Sequence, residues 1–177
     1  MENTNHVNGS LKKIIYGALC IALSFALSYV KIFSMPMGGS ITLCSMLPLC
    51  LYACAFGPKY GFIAAFAYGV LQVIQGAYVV HPVQFVLDYF AAFTVLGLAS
   101  LFPRKYALGT FAGGAARMLC SVVSGAVFFA SYAAEAGWSN AWIYSLVYNA
   151  STIGVDTVLC TVVAALPPIR KMMDKLS

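Results

Sequence analysis

The sequence predicts an all-α integral membrane protein, a bundle of six transmembrane helices forming one domain over residues 11–177. Three observations carry this. First, 62% of the 177 residues are hydrophobic and 8% charged, with a mean hydropathy of +0.87; a soluble domain is nearer 45–50% apolar and about 25% charged. Second, apolar runs recur at lengths close to the ~20 residues needed to cross the hydrocarbon core. Third, the cationic residues sit in the connections between runs, not in a basic stripe, so the net charge of +5 does not point to nucleic acid.

Residues 1–10, "MENTNHVNGS", are polar and read as a disordered cytoplasmic tail. The first run, 14–33, is longer than a signal-peptide core and lacks a small-residue cleavage site, so it is a retained helix. The second, Thr42 to Phe56, is short and contains Pro48; a tilted, kinked or partly re-entrant helix is expected, ended by the turn signal "GPK" at 57–59. Runs at 60–80, 83–102, 107–134 and 143–166 supply the other four helices, the last three separated by "PRKY" at 103–106 and "EAGWSNAW" at 135–142.

The charges orient the bundle. Lys12 and Lys13 precede the first run, Lys59 follows the second, Arg104 and Lys105 follow the fourth, and Arg170, Lys171 and Lys175 follow the sixth. The remaining connections hold only Lys31. Six spans place the four cationic sites on one side, whereas five would not. The positive-inside rule then puts both termini in the cytoplasm of a multi-pass plasma-membrane protein. The opposite ends carry Tyr29, Phe33, Tyr78, Tyr132, Trp138, Trp142, Tyr144 and Tyr148, in part an interfacial aromatic belt. The six cysteines lie in apolar runs without zinc-ligand spacing, Cys50 and Cys54 sharing a helix face; they read as small buried hydrophobes. No metal, cofactor or disulfide framework is expected.

Three charged residues fall inside the runs: Asp88, Arg117 and Asp156. At about 1.5 Å per residue, Arg117 and Asp156 each lie about 15 Å from the cytoplasmic end. Their matched depth predicts a structural ion pair between adjacent helices. Asp88 lies about 9 Å from the outer end and has no such partner. A carboxylate in hydrocarbon is costly, so a cationic ligand is one reason to keep it. The sixth run brings Tyr144, Tyr148 and Asn149 to a similar depth, followed by Thr152 and Asp156 at a three-then-four spacing. The fifth brings Ser121, Ser124, Gly125, Phe128 and Phe129. One carboxylate, one amide and several aromatic faces suit a flat heteroaromatic cation. Helix-packing hydrogen bonds beside belt aromatics are the alternative. There is no GxxxxGK[ST] phosphate loop, no nucleophile–base pairing and no internal repeat of the secondary-transporter kind, so the chain is equipped to bind but not to power transport. Ala18, Ala22 and Ala26 form a small-residue stripe that admits a close helix, either within this protein or from a partner.

Three segments, "MPMGGSITL", "YGVLQVIQGAYVVHPVQFVLDY" and "YSLVYN", resemble in order and spacing the thiamine-specific substrate-binding subunits (S components) of energy-coupling factor (ECF) transporters. The similarity runs over about residues 11–170. It implies a six-helix S-component bundle with high-affinity thiamine binding near the extracellular face. The family's acidic residue before a tyrosine falls on Asp88 and Tyr89, with aspartate replacing the familiar glutamate. Its later tyrosine and asparagine fall on Tyr144 and Asn149, and a further tyrosine on Tyr78. A family histidine appears here as Ser121, and a tryptophan as Phe129. Tyr148 joins this set from the residue pattern. The alanine stripe resembles the surface that docks on a transmembrane coupling subunit, and two cytoplasmic ATPases then supply the energy. The alternatives are an S component for a thiamine precursor or another vitamin, or a membrane scaffold without transport.

Overall fold

The computed structural model describes residues 2–35 and 39–176, with side chains described from Gly9 onward. Residues 36–38, part of the "MPMGGSITL" segment, lie outside the described residues. Helix α1 spans Glu2–Tyr29 and takes in residues 2–10, where the sequence suggests a disordered tail. Its small polar face, with Gly17, Ser24 and Ser28 buried, packs on the next two helices. Tyr52 Oη donates to the Lys13 carbonyl at 2.8 Å.

The first departure from the expected all-helical chain comes at the end of α1. The helix predicted through Phe33 stops at Tyr29, and Lys31–Ser34 (β1) pairs antiparallel with Ser40–Thr42 (β2), with Lys31 opposite Thr42 and Ser34 opposite Ser40. Ile32 and Phe33 are suited to extended backbone. Apolarity alone cannot separate such a strand from the end of a helix.

The second departure is α2, Leu47–Phe56. Pro48 does not kink it. It sits in the first turn, where its missing N–H costs nothing. Residues 42–46 belong to the hairpin and the following turn. At ten residues α2 is about 15 Å long, half of a ~30 Å hydrocarbon core. Every residue from Leu47 to Cys54 is buried, as befits a helix apolar all round. Met46, just before its start, touches Arg117 at the midpoint of the fifth helix, so α2 fills only one half of the bundle. Gly57 (φ 86°) makes the sharp junction to α3, Pro58–Gly76, in a conformation that L side chains rarely adopt.

Helix α4 spans Pro82–Leu101 and is not uniform: a π-helical stretch at Val86–Ala91 and a 3₁₀ stretch at Val95–Leu101 interrupt it. Helix α5 is Tyr106–Phe128; the run predicted to 134 breaks at Phe129 into a short α6, Ala130–Glu135. Helix α7, Ala141–Ala165, contains a second π-helical stretch at Ala150–Gly154, and α8 is the amphipathic Pro167–Leu176. Among the described residues four helices, Gly9–Tyr29, Pro82–Leu101, Tyr106–Phe128 and Ala141–Ala165, are long and apolar enough to cross a membrane. This is a mostly helical, multi-pass membrane protein. At one end of the bundle Lys13 Nζ lies 5.2 Å from the Tyr60 ring centroid, and Tyr106 Oη donates to Asp174 Oδ1 at 3.0 Å.

Candidate functional site

The half of the bundle that α2 leaves unfilled holds a cavity of ≈ 250 Å³ beneath the hairpin. All eight residues expected to bind a ligand line it: Tyr78, Asp88, Tyr89, Ser121, Phe129, Tyr144, Tyr148 and Asn149. They come from α4, α5, α7 and the loops, so helical periodicity and depth bring them to one place.

Asp88 sits in the π-helical stretch of α4, a kind of interruption frequent at functional sites. Its Oδ2 accepts from Gln84 Nε2 at 2.7 Å. Gln84 is 1% exposed and also donates to the Tyr78 carbonyl, while its Oε1 accepts from the Val80 N–H, both at 3.1 Å. The amide is thereby fixed, and it aims a neutral donor at the carboxylate. Sequence reasoning missed Gln84, although a glutamine four residues before an aspartate on one helix face was the available signal. Tyr89 Oη accepts from the Tyr78 N–H at 2.8 Å, tying the loop after α3 to α4. Gly69 lets α3 come this close: a Cβ there would lie 2.5 Å from the Tyr89 carbonyl oxygen.

Aromatic rings form one wall. Tyr78 and Phe129 stack at 6.1 Å with planes 25° apart, and the Tyr78 and Tyr132 hydroxyls are 2.7 Å apart. Across the cavity Tyr144 and Tyr148 are 6.3 Å apart, and Trp138 lies edge-on to Tyr144 at 6.0 Å. Asn149 Nδ2 donates to the Ser145 carbonyl at 2.9 Å and reaches the Ser121 carbonyl at 3.3 Å, locking α7 to α5. Tyr148 Oη accepts from the Gly39 N–H at 3.0 Å, which fastens the hairpin over the cavity.

Arg117 and Asp156, the expected ion pair, both line the cavity and stay within electrostatic reach of one another, without a direct bridge between them. Arg117 lays its guanidinium 4.4 Å from the Phe93 ring centroid and Nη1 4.0 Å from Met46 Sδ. Asp156 Oδ2 accepts from Thr42 Oγ1 of the hairpin at 3.3 Å. Lys31, from exposed β1, also borders the cavity and was not foreseen there. Ala18, Ala22 and Ala26 are exposed on α1, away from the face that packs on α2 and α3.

The profile of the family described as "Thiamine transporter protein (Thia_YuaJ)" matches residues 14–175. The chain belongs to this thiamine transporter family. It is 33% identical over 175 residues to the thiamine transporter ThiT of Bacillus subtilis (strain 168), covering 88% of this chain and 90% of that one. It is 30% identical to the ThiT of Lacticaseibacillus paracasei over 138 residues, 67% of this chain and 68% of that one. The structure of ThiT from Listeria monocytogenes superposes with a TM-score of 0.75 at 22% identity, over 92% of this chain and 98% of that one, and so shares its fold. Membership of the thiamine transporter family makes the chain a transporter protein and not an enzyme.

Proposed function

We propose that the chain binds thiamine with high affinity in this cavity, near the extracellular face, as the S component of an ATP-driven ECF uptake transporter. One observation carries the reading: a carboxylate whose bonded side-chain partner is a neutral amide faces a cavity walled by stacked aromatics. Asp88 supplies the counter-charge for the thiazolium ring, and Tyr78, Phe129, Tyr144 and Tyr148 supply faces for the two aromatic rings. Calorimetry and native mass spectrometry of the detergent-purified protein test this. Saturable binding of one thiamine per chain is expected; absence of saturable binding overturns the proposal, and tighter binding of a pyrimidine precursor reassigns the ligand.

In this reading the chain crosses the membrane six times, α3 joining the four longer apolar helices and the short α2 crossing together with the hairpin and turn that precede it, and both termini are cytoplasmic. Lys59→Cys and Lys105→Cys, in a background lacking the native cysteines, are then unreactive to an impermeant thiol reagent in intact cells. Labelling of either from outside refutes the orientation.

Energy comes from two cytoplasmic ATPases through a transmembrane coupling subunit, which docks on Ala18, Ala22 and Ala26. These three face outward, so a larger side chain there spares the protein's own packing. Ala22→Leu is expected to hold the partner helix away and reduce co-purification of the coupling subunit while thiamine binding persists. Loss of thiamine binding with assembly intact would show instead that the stripe supports the protein's own fold.

A further inference from the structure

We infer that Cys44, Asp156 and Cys160 form a binding site for a zinc-class divalent cation beside the cavity that Asp156 borders. The ligating atoms of these three side chains all lie within 4.8 Å of one another. Both thiols are free. Cys44 comes from the turn after the hairpin, whereas Asp156 and Cys160 are one turn apart on α7, so the grouping is created by the fold. Sequence spacing between cysteines does not reveal it.

Asp156 gives an independent indication. It is 3% exposed, its Oδ2 accepts from Thr42, and its Oδ1 is buried without a well-formed hydrogen bond, although the Cys44 backbone N–H and the Arg117 charge lie near the carboxylate. Such an orphaned acceptor calls for an explanation, and a cation between the carboxylate and the two sulfurs supplies one. Cys160 is 0% exposed, and Cys44 is held at φ 54°, a left-handed conformation unusual for a residue with a side chain.

The geometry is close to what zinc requires. Zn–S bonds of about 2.3 Å and Zn–O bonds of about 2 Å in a tetrahedron set neighbouring ligand atoms about 3.5–3.8 Å apart. The three side chains need to draw together by at most about 1.3 Å from separations of up to 4.8 Å. Two thiolates and one carboxylate suit a borderline-soft ion and disfavour magnesium or calcium, which take all-oxygen shells. Coordination displaces the thiol protons to solvent. Three protein ligands leave a fourth coordination position open. The ion would fasten the turn after the hairpin to α7, and this assignment does not depend on which organic ligand the cavity takes.

The test uses full-length protein in detergent, stripped with a chelator, incubated with Zn²⁺ alone and passed over a desalting column. One zinc per chain is expected, with an X-ray absorption first shell containing two sulfurs and oxygen. Cys44→Ser and Cys160→Ser should each lower the affinity at least tenfold. Cys20→Ser and Cys120→Ser, outside the cluster, should leave it unchanged. No retained zinc, a shell without sulfur, or equal losses from the Cys20 or Cys120 variants overturns the inference. Where the cluster variants do not fold, the shell measured on the parent protein decides the matter.

Discussion

Asp88→Asn is expected to weaken thiamine binding by about 2–5 kcal/mol, the usual cost of breaking a desolvated charge pair. At about 1.4 kcal/mol per decade this is roughly thirtyfold to several-thousandfold. The substitution isolates charge from shape. Asn is nearly isosteric, and its carbonyl still accepts from Gln84 Nε2, which now donates to Asp88 at 2.7 Å. The fold therefore survives, since a neutral amide is easier to bury than a carboxylate. A thiamine analogue with a neutral ring should lose far less affinity than thiamine does, because only the charge term has gone. Titration calorimetry measures both ligands, and quenching of Trp138, which lies 6.0 Å from Tyr144 at the cavity edge, gives a second reading. Equal thiamine affinity in variant and parent would show that Asp88 is not the counter-ion.

The second large effect is expected at Gly69, remote from the charge chemistry but directly behind it. In Gly69→Ala the new methyl meets the Tyr89 carbonyl oxygen at 2.5 Å and Phe93 Cβ at 3.2 Å. The first of these is backbone of the π-helical stretch, not the flexible end of a side chain. Relief requires α3 and α4 to separate, and overpacking of this kind costs about 1–3 kcal/mol. Thermal unfolding in detergent should show a lower midpoint. Thiamine affinity should fall with it, because Asp88 and Tyr89 ride on the displaced turn. Gly9→Ala is the control: nothing lies within 4 Å of that position, and alanine favours the helix. If Gly69→Ala melts and binds like the parent, close packing of α3 on α4 is not what places Asp88.

The sequence was informative where function depends on periodicity and depth. Tyr144, Asn149 and Asp88 reach one cavity because regular helices carry them there. It was misleading where helices are irregular. Asn149, Thr152 and Asp156 share a face in an ideal helix, but the π-helical stretch Ala150–Gly154 lies between the first and last of them. All three nevertheless line one cavity; Asp156 Oδ2 is engaged by Thr42 of the hairpin and makes no direct bridge to Arg117. The hairpin itself was hidden because Ile32 and Phe33 prolong an apolar run and read as helix. Gln84 was missed for a different reason: its four-residue spacing from Asp88 was visible, but its role emerges only from three hydrogen bonds made at once.

The half-length of α2 has an architectural consequence. A complete helix in its place would displace on the order of 1,000 Å³ more over the missing ~15 Å. The cavity therefore lies in the space left by a truncated pillar, with small residues such as Ser45, Ser121, Gly125 and Ser145 on its walls. Stability and selectivity are zoned by this. Leu49, Cys50 and Tyr52 close the filled storey, while Ser121 and Phe129 furnish the open one. Residues in the open storey can be exchanged to suit another ligand without touching the masonry below, and the size of the chamber is set by where a ten-residue helix begins.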